Sequence, residues 1–98
     1  MKRIVLAAAI ATITAPLAVA GPIDNACNRA ERSASPGLCG CIQQAADMTL
    51  SRADQRRAAA FFKNAQKAQE ARASKRASDS AFWGRYKNFT ATAEVYCR

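Results

Sequence analysis

Apolar residues after position 20 recur at helical spacing. The clearest series lies in the C-terminal segment from about 80 to 97, where apolar side chains fall three or four residues apart: Phe82, Tyr86, Phe89, Ala93 and Tyr96. This spacing places them on one face of a helix, and Ser78 and Asp79 stand where they can cap its start. No stretch alternates with a period of two, and β-branched residues are scarce after Gly21. The pattern predicts an all-α fold, a small bundle of four to five short helices.

Helix start and stop signals divide the rest of the chain into further segments. Ser35 can cap a helix that has Pro36 at its first position, and Ser51 and Asp54 form the two ends of a capping box. Asn64 interrupts the helical pattern. The predicted helices cover about residues 24–32, 36–48, 52–63, 65–76 and 80–97. The segment 65–76 has no large apolar residue, so it is either a helix packed through alanine or a mobile connector.

Residues 1–20 contain the parts of a secretory signal peptide in their usual order. Lys2 and Arg3 give a basic start, an apolar run follows over 4–13, and Ala-Val-Ala at 18–20 forms a cleavage signature. The run is too short for a transmembrane helix. The sequence predicts a signal peptide at 1–20 and a small helical domain at 21–98, which is periplasmic or secreted.

Four cysteines follow the predicted signal peptide: Cys27, Cys39, Cys41 and Cys97. In an exported chain this even number predicts two disulfides that staple the helices. Positions 39 and 41 lie about 200° apart around a helix, so these two cysteines face different partners. We expect Cys27–Cys41 with Cys39–Cys97, since Cys41 belongs to the predicted apolar face of the second helix. The swapped pairing, Cys27–Cys39 with Cys41–Cys97, is nearly as well supported.

The predicted apolar face of the second helix comprises Leu38, Cys41, Ile42, Ala45 and Met48 or Thr49. An alternative function for the Cys39-Gly40-Cys41 segment is thiol–disulfide exchange or soft-metal handling, because two nearby thiolates suit Cu(I) or Zn. A direct bond between these two cysteines would distort the helix. The sequence therefore favours structural disulfides over a redox pair.

Positive charge is concentrated in the middle of the chain. Without Lys2 and Arg3, 13 of the 15 basic residues remain against 7 acidic ones, a net charge of +6. The basic residues of the region 51–77 are Arg52, Arg56, Arg57, Lys63, Lys67, Arg72, Lys75 and Arg76. They predict a surface for an anionic partner such as a membrane surface, lipopolysaccharide, nucleic acid or an acidic protein. An ordinary solvated face is the alternative, and Trp83, which lies off the apolar stripe, is a second candidate for contact with a partner.

Catalysis has little support in the sequence. The chain has no histidine, which excludes Ser-His-Asp triads, Cys-His pairs and histidine-ligated zinc or haem. The acidic residues are scattered, and none is spaced to share a site with another. We expect a binding or structural protein, not an enzyme, with neither a metal nor a cofactor.

Several segments together resemble a known family. They are Leu38-Cys39-Gly40-Cys41-Ile42-Gln43-Gln44-Ala45-Ala46, Ala59-Ala60-Phe61-Phe62-Lys63, Ala68-Gln69-Glu70, Ala81-Phe82-Trp83 with Arg85-Tyr86 and Phe89, and Thr92-Ala93-Glu94 with Cys97. This pattern is similar to a family of small, uncharacterised exported bacterial proteins, some of which carry the label arginine transporter. The resemblance implies an exported helical protein and, as a further alternative, an accessory role in amino-acid (arginine) transport. Residues 21–98 hold no apolar segment of the ~20 residues that a membrane span needs, and the family supplies no catalytic residues to carry over.

Overall fold

A computed structural model describes residues 21–30 and 35–97. Within them the chain forms five α-helices and no strand: α1 (Pro22–Arg29), α2 (Pro36–Thr49), α3 (Arg52–Lys63), α4 (Ala65–Ala73) and α5 (Ala77–Tyr96). The all-α prediction is confirmed, and the alanine-rich segment after Asn64 is a helix. No helix in the described ranges is long and apolar enough to cross a membrane. The predicted signal peptide, residues 1–20, lies outside the described residues.

Polar side chains cap the starts of three helices, α2, α3 and α4. Ser35 Oγ accepts a hydrogen bond from the Leu38 amide (3.2 Å), and Ser51 Oγ accepts one from the Asp54 amide (3.1 Å). Asn64 ends α3 and also caps α4, since its Oδ1 accepts from the Gln66 amide at 3.0 Å. The predicted caps at Ser35 and Ser51 and the break at Asn64 are therefore confirmed.

The start of α5 differs from the prediction. The helix begins at Ala77, and Arg76 at its N-cap makes no side-chain capping bond. Ser78 and Asp79 consequently lie inside the first turn. Asp79 instead accepts a hydrogen bond from Ser74 Oγ (2.7 Å), which ties the α4–α5 connection to the new helix.

The core is small and rich in alanine. Its buried members are Ile23, Ala45, Ala46, Leu50, Ala58, Phe82 and Phe89. Phe61 of α3 meets α5 through ring contacts, with its centroid 6.0 Å from Phe82 and 5.1 Å from Tyr86, both edge-on. An aromatic layer therefore fills the space between α3 and α5, where alanine would leave a gap.

The predicted apolar stripes are only partly buried. Phe82 and Phe89 lie in the core, but Tyr96 at the end of α5 is 69% exposed. On α2, Met48 is 63% exposed, whereas Cys39 and Gln43 are fully buried. The buried face of α2 is thus rotated from the predicted one, because a glutamine occupies a position that the apolar pattern did not count.

Gln43 caps α1 from the neighbouring helix. Gly21, the N-cap of α1, has no side chain to offer. The Oε1 atom of Gln43 accepts hydrogen bonds from the amides of Ile23 (2.9 Å) and Asp24 (2.8 Å) in its place. A Cβ at Gly21 would lie 2.5 Å from the Gln43 side chain, so only glycine permits this approach.

The other end of the Gln43 amide connects α2 to α3. Its Nε2 donates to Gln55 Oε1 (2.7 Å) and to Asp47 Oδ1 (2.8 Å). Gln55 Nε2 in turn donates to Asp47 Oδ1 (3.1 Å) and to the Leu50 carbonyl (3.2 Å). Gln43 and Gln55 are 1% and 2% exposed, so water is not available to replace these bonds.

The Gln43→Ala variant is expected to lose about 3 kcal/mol of stability, because the Ile23 amide of α1 and the Gln55 side chain of α3 are buried and lose their partner. Urea unfolding followed by circular dichroism measures the loss. Gln44→Ala is the matched control, since Gln44 is the next residue of α2 and is exposed, and it should change stability by no more than about 0.5 kcal/mol. Equal stability of the two variants would refute a central role for the Gln43 amide.

The disulfides are Cys27–Cys39 and Cys41–Cys97, with Cα–Cα distances of 5.6 and 5.8 Å. The preferred pairing, Cys27–Cys41 with Cys39–Cys97, is wrong, whereas the expectation of different partners for Cys39 and Cys41 is confirmed. The physical reason is the rotated face of α2. Cys39 lies one turn before Gln43 on the side that contacts α1, and Cys41 points toward the end of α5.

Counting free thiols in two double variants tests this pairing. Cys27→Ala with Cys39→Ala removes one whole disulfide and should leave no free thiol, because Cys41–Cys97 still forms. Cys27→Ala with Cys41→Ala removes half of each disulfide and should leave two free thiols, since Cys39 and Cys97 lie on different sides of α2. The thiols are titrated in denaturant without reductant, and the reverse result would restore the other pairing.

Candidate functional site

The eight predicted cations are all exposed, and four of them are divided between two cavities. Arg56 and Lys63 line an open groove between α1 and α3. Arg57 and Lys67 line a second cavity, on the side of α4 and α5. The remaining four lie at the start of α3, at the end of α4 and in the α4–α5 connection: Arg52, Arg72, Lys75 and Arg76.

Arg57 is engaged in holding α3 to α5. Its Nη2 atom lies 2.8 Å from Asp79 Oδ1, and its guanidinium stands 4.3 Å from the centroid of the Phe82 ring. A second ion pair joins the same two helices, here with the cation on α5 and the carboxylate on α3. Arg85 Nε lies 2.6 Å from Asp54 Oδ2, and Arg85 Nη2 lies 3.2 Å from Asp54 Oδ1. Hydrogen bonding to Asp54 raises the pKa of Arg85 above its ordinary value.

The second cavity has a volume of about 350 Å³ and carries mixed charge. Arg57 and Lys67 face Glu70 and Asp79 around it, with Phe61 among the apolar residues that line it. The hydrogen bond from Ser74, followed by that from Arg57, holds the pKa of Asp79 below its ordinary value of 3.8. Because its charges balance, this cavity has no preference for an anion.

Asp79 should make the stability of the fold depend on pH. Its folded pKa is lowered, so the ionised carboxylate contributes stability in full above about pH 4, and that contribution is lost as the pH falls toward the folded pKa. We expect the stability difference between the wild type and Asp79→Asn to shrink as the pH is lowered from about 7 to about 2.5. Urea unfolding at each pH measures it. A difference that stays constant over this range would contradict the assigned role.

The larger cavity is the α1–α3 groove, with a volume of about 660 Å³. Its apolar lining comprises Pro22, Ala26, Ala30, Ala59, Ala60 and Phe62, and we refer to Ala26, Ala59, Ala60 and Phe62 as its floor. Its cationic rim consists of Arg29, Arg56 and Lys63. No acidic residue lines the groove among the residues that the structure describes.

Helical spacing explains how α3 contributes to both parts of the groove. Arg56, Ala59, Ala60 and Lys63 follow one another at i, i+3, i+4 and i+7, which places them along one side of the helix. Arg52 lies within about 40° of the same side. Arg29 comes from the last turn of α1, where a positive charge is also favoured by the helix dipole.

The sequence did not identify Arg29 as a partner of Arg56 and Lys63. It lies 27 positions before Arg56, outside the basic region. The packing of α1 on α3 brings it to the groove. The sequence does place Arg29 in the last turn of the first helix, but only the packing of the helices shows that this turn lies beside α3.

No protein-family model, curated protein or solved structure matches the chain. Evidence on function therefore comes from the geometry and charges of its own residues. Of the two cavities, the α1–α3 groove is larger and has a consistent sign of charge, which makes it the candidate binding site.

Trp83 and the cysteines lie outside the lining of the two cavities. The Trp83 ring is partly exposed and packs 5.0 Å from Tyr86 and 6.5 Å from Phe61, and it lines neither of the two cavities. Burial among these rings raises the pKa of Tyr86. All four cysteines are joined in disulfides. Redox or metal chemistry at Cys39 and Cys41 would first require the reduction of both bonds.

Proposed function

We propose that the protein is an exported binding module that contacts an anionic partner through the cationic rim of the α1–α3 groove, Arg29, Arg56 and Lys63. One observation carries the proposal. Three exposed cations from two helices converge on one groove whose described lining contains no carboxylate. An anion that enters the groove meets positive charge from both walls, and none of the described residues that line it is acidic.

The distribution of ion pairs supports this assignment. Asp79 and Asp54 neutralise Arg57 and Arg85, where they hold α3 to α5. No ion pair within the described residues involves the cationic rim. The charge of the rim is thus available to a ligand, in contrast to that of Arg57.

Export is supported by the chemistry of the cysteines. Disulfides persist in oxidising compartments and are rare in the cytosol. One of the two disulfides joins α1 to α2, and the other joins α2 to Cys97 at the end of α5. The signal-peptide pattern at residues 1–20 agrees with this location, where anionic partners include lipid headgroups and acidic glycans.

Binding to a heparin fragment, used as a polyanion probe, tests the proposal. The double variant Arg56→Gln/Lys63→Gln removes two rim charges and should bind about tenfold more weakly at low salt, since each exposed ion pair contributes up to about 1 kcal/mol. The wild-type affinity should also fall as salt is raised. The change in affinity is measured by fluorescence titration.

Arg72→Gln/Lys75→Gln is the matched control, because it removes the same charge from exposed positions at the end of α4 and just after it. It should retain affinity within about threefold of the wild type if binding is localised at the groove. An equal loss in both double variants would mean that net charge alone attracts the probe. That outcome would overturn the assignment of the site.

A further inference from the structure

The floor of the α1–α3 groove is apolar, and a purely ionic partner would make no use of this apolar surface. Ala26 of α1 faces Ala59, Ala60 and Phe62 of α3 across the groove, and all four are only partly buried. A volume of about 660 Å³ lies within the range of about 300–1,000 Å³ typical of small-molecule sites. An inorganic anion would occupy little of this space and would leave the apolar floor in water.

The arrangement of charge around the floor suggests the chemistry of a better ligand. The cations stand at the rim on flexible stems, and the floor between them offers no carboxylate from the described residues. A molecule with an acidic headgroup and an alkyl chain satisfies both parts. Its headgroup pairs with Arg56, Lys63 or Arg29 while its chain covers the alanines and Phe62.

We infer that the α1–α3 groove binds a single anionic amphiphile, an alkyl chain with a phosphate or carboxylate headgroup. The inference rests on the proposed anion-binding function and specifies its ligand class. The alkyl chain supplies affinity through burial, and the cationic rim selects the sign of the headgroup.

The exposed apolar residues favour a single molecule over a membrane surface as the occupant. Binding to a bilayer through a helix face needs protruding apolar side chains beside the cations. The large apolar side chains that are most exposed in the described residues are Met48, Val95 and Tyr96, on α2 and α5. The groove lies between α1 and α3, and Phe62 is partly buried there, so the apolar surface beside the cations is recessed.

Calorimetric titration with hexyl, octyl and decyl phosphate tests the inference on the intact protein. Each methylene that becomes fully buried should raise the affinity up to about fourfold, until the groove is filled. Octyl phosphate should therefore bind at least tenfold more tightly than inorganic phosphate. Octyl glucoside, which has the chain without the charge, should bind at least tenfold more weakly than octyl phosphate.

A substitution in the floor tests the contact with the alkyl chain separately from the contact with the headgroup. Ala59→Leu fills part of the groove and should weaken octyl phosphate at least fivefold, while heparin binding stays within twofold of the wild type. Ala81→Leu makes the same change at an exposed position of α5 and is the control for folding and helix content. If Ala59→Leu fails to fold, Ala26→Leu replaces it, because it narrows the groove from the α1 side. The titration with hexyl, octyl and decyl phosphate uses the wild type and needs no variant.

The outcomes distinguish this inference from the function on which it rests. Equal affinity for inorganic, hexyl, octyl and decyl phosphate, together with a heparin response to Arg56→Gln/Lys63→Gln, would leave the anion site standing and overturn the amphiphile. If the affinity depends neither on the alkyl chain length nor, for heparin, on Arg56→Gln/Lys63→Gln, both the amphiphile inference and the anion-binding function are overturned. Binding to phosphatidylglycerol vesicles without binding to monomeric octyl phosphate would identify a membrane surface as the partner and refute the single-molecule site.

Discussion

The side-chain amide of Gln43 is the interaction on which the arrangement of the first three helices depends. Its oxygen accepts from two amides of α1, and its nitrogen donates to Asp47 and Gln55. Four directional bonds use its full capacity, and it is almost completely buried. An alanine-rich interface between helices fits in several rotations with similar energy, because alanine has little shape. An amide whose four hydrogen-bonding positions are all used is compatible with only one of these rotations. The polar network therefore supplies the specificity that the apolar core lacks.

The position of α1 in turn creates the candidate site. Cys27–Cys39 and the Gln43 cap hold α1 against α2 at two neighbouring points of that helix. With α1 placed in this way, its last turn delivers Arg29 to the side of α3 that carries Arg56 and Lys63. The groove is thus a consequence of how α1 is fixed, and a change at Gln43 should disturb binding as well as stability.

Most helix boundaries and the caps of α2 and α3 follow from local sequence, whereas the cap of α1 and the groove do not. Ser35 and Ser51 act within three residues of themselves, so their role is visible in the chain alone. The disulfide pairing depended on which face of α2 is buried, and the apolar pattern missed that face because Gln43 occupies its centre. Arg29 joins the other rim cations through packing that spacing along the chain does not encode. The charge between residues 51 and 77 was visible, but only the structure shows that Arg57 is paired with Asp79 whereas Arg56 and Lys63 border the groove.

Alanine connects the weakness of the core to the presence of the groove. Larger side chains at Ala26, Ala59 and Ala60 would fill the space between α1 and α3 and bury more apolar area, which would stabilise the fold. The chain instead obtains stability from two disulfides, a buried amide network and ion pairs between α3 and α5. These crosslinks occupy little volume at the groove itself. A fold held in this way can leave an apolar depression open to solvent, and because the carboxylates of Asp54 and Asp79 are engaged elsewhere, the cations that border the depression keep their charge for a ligand.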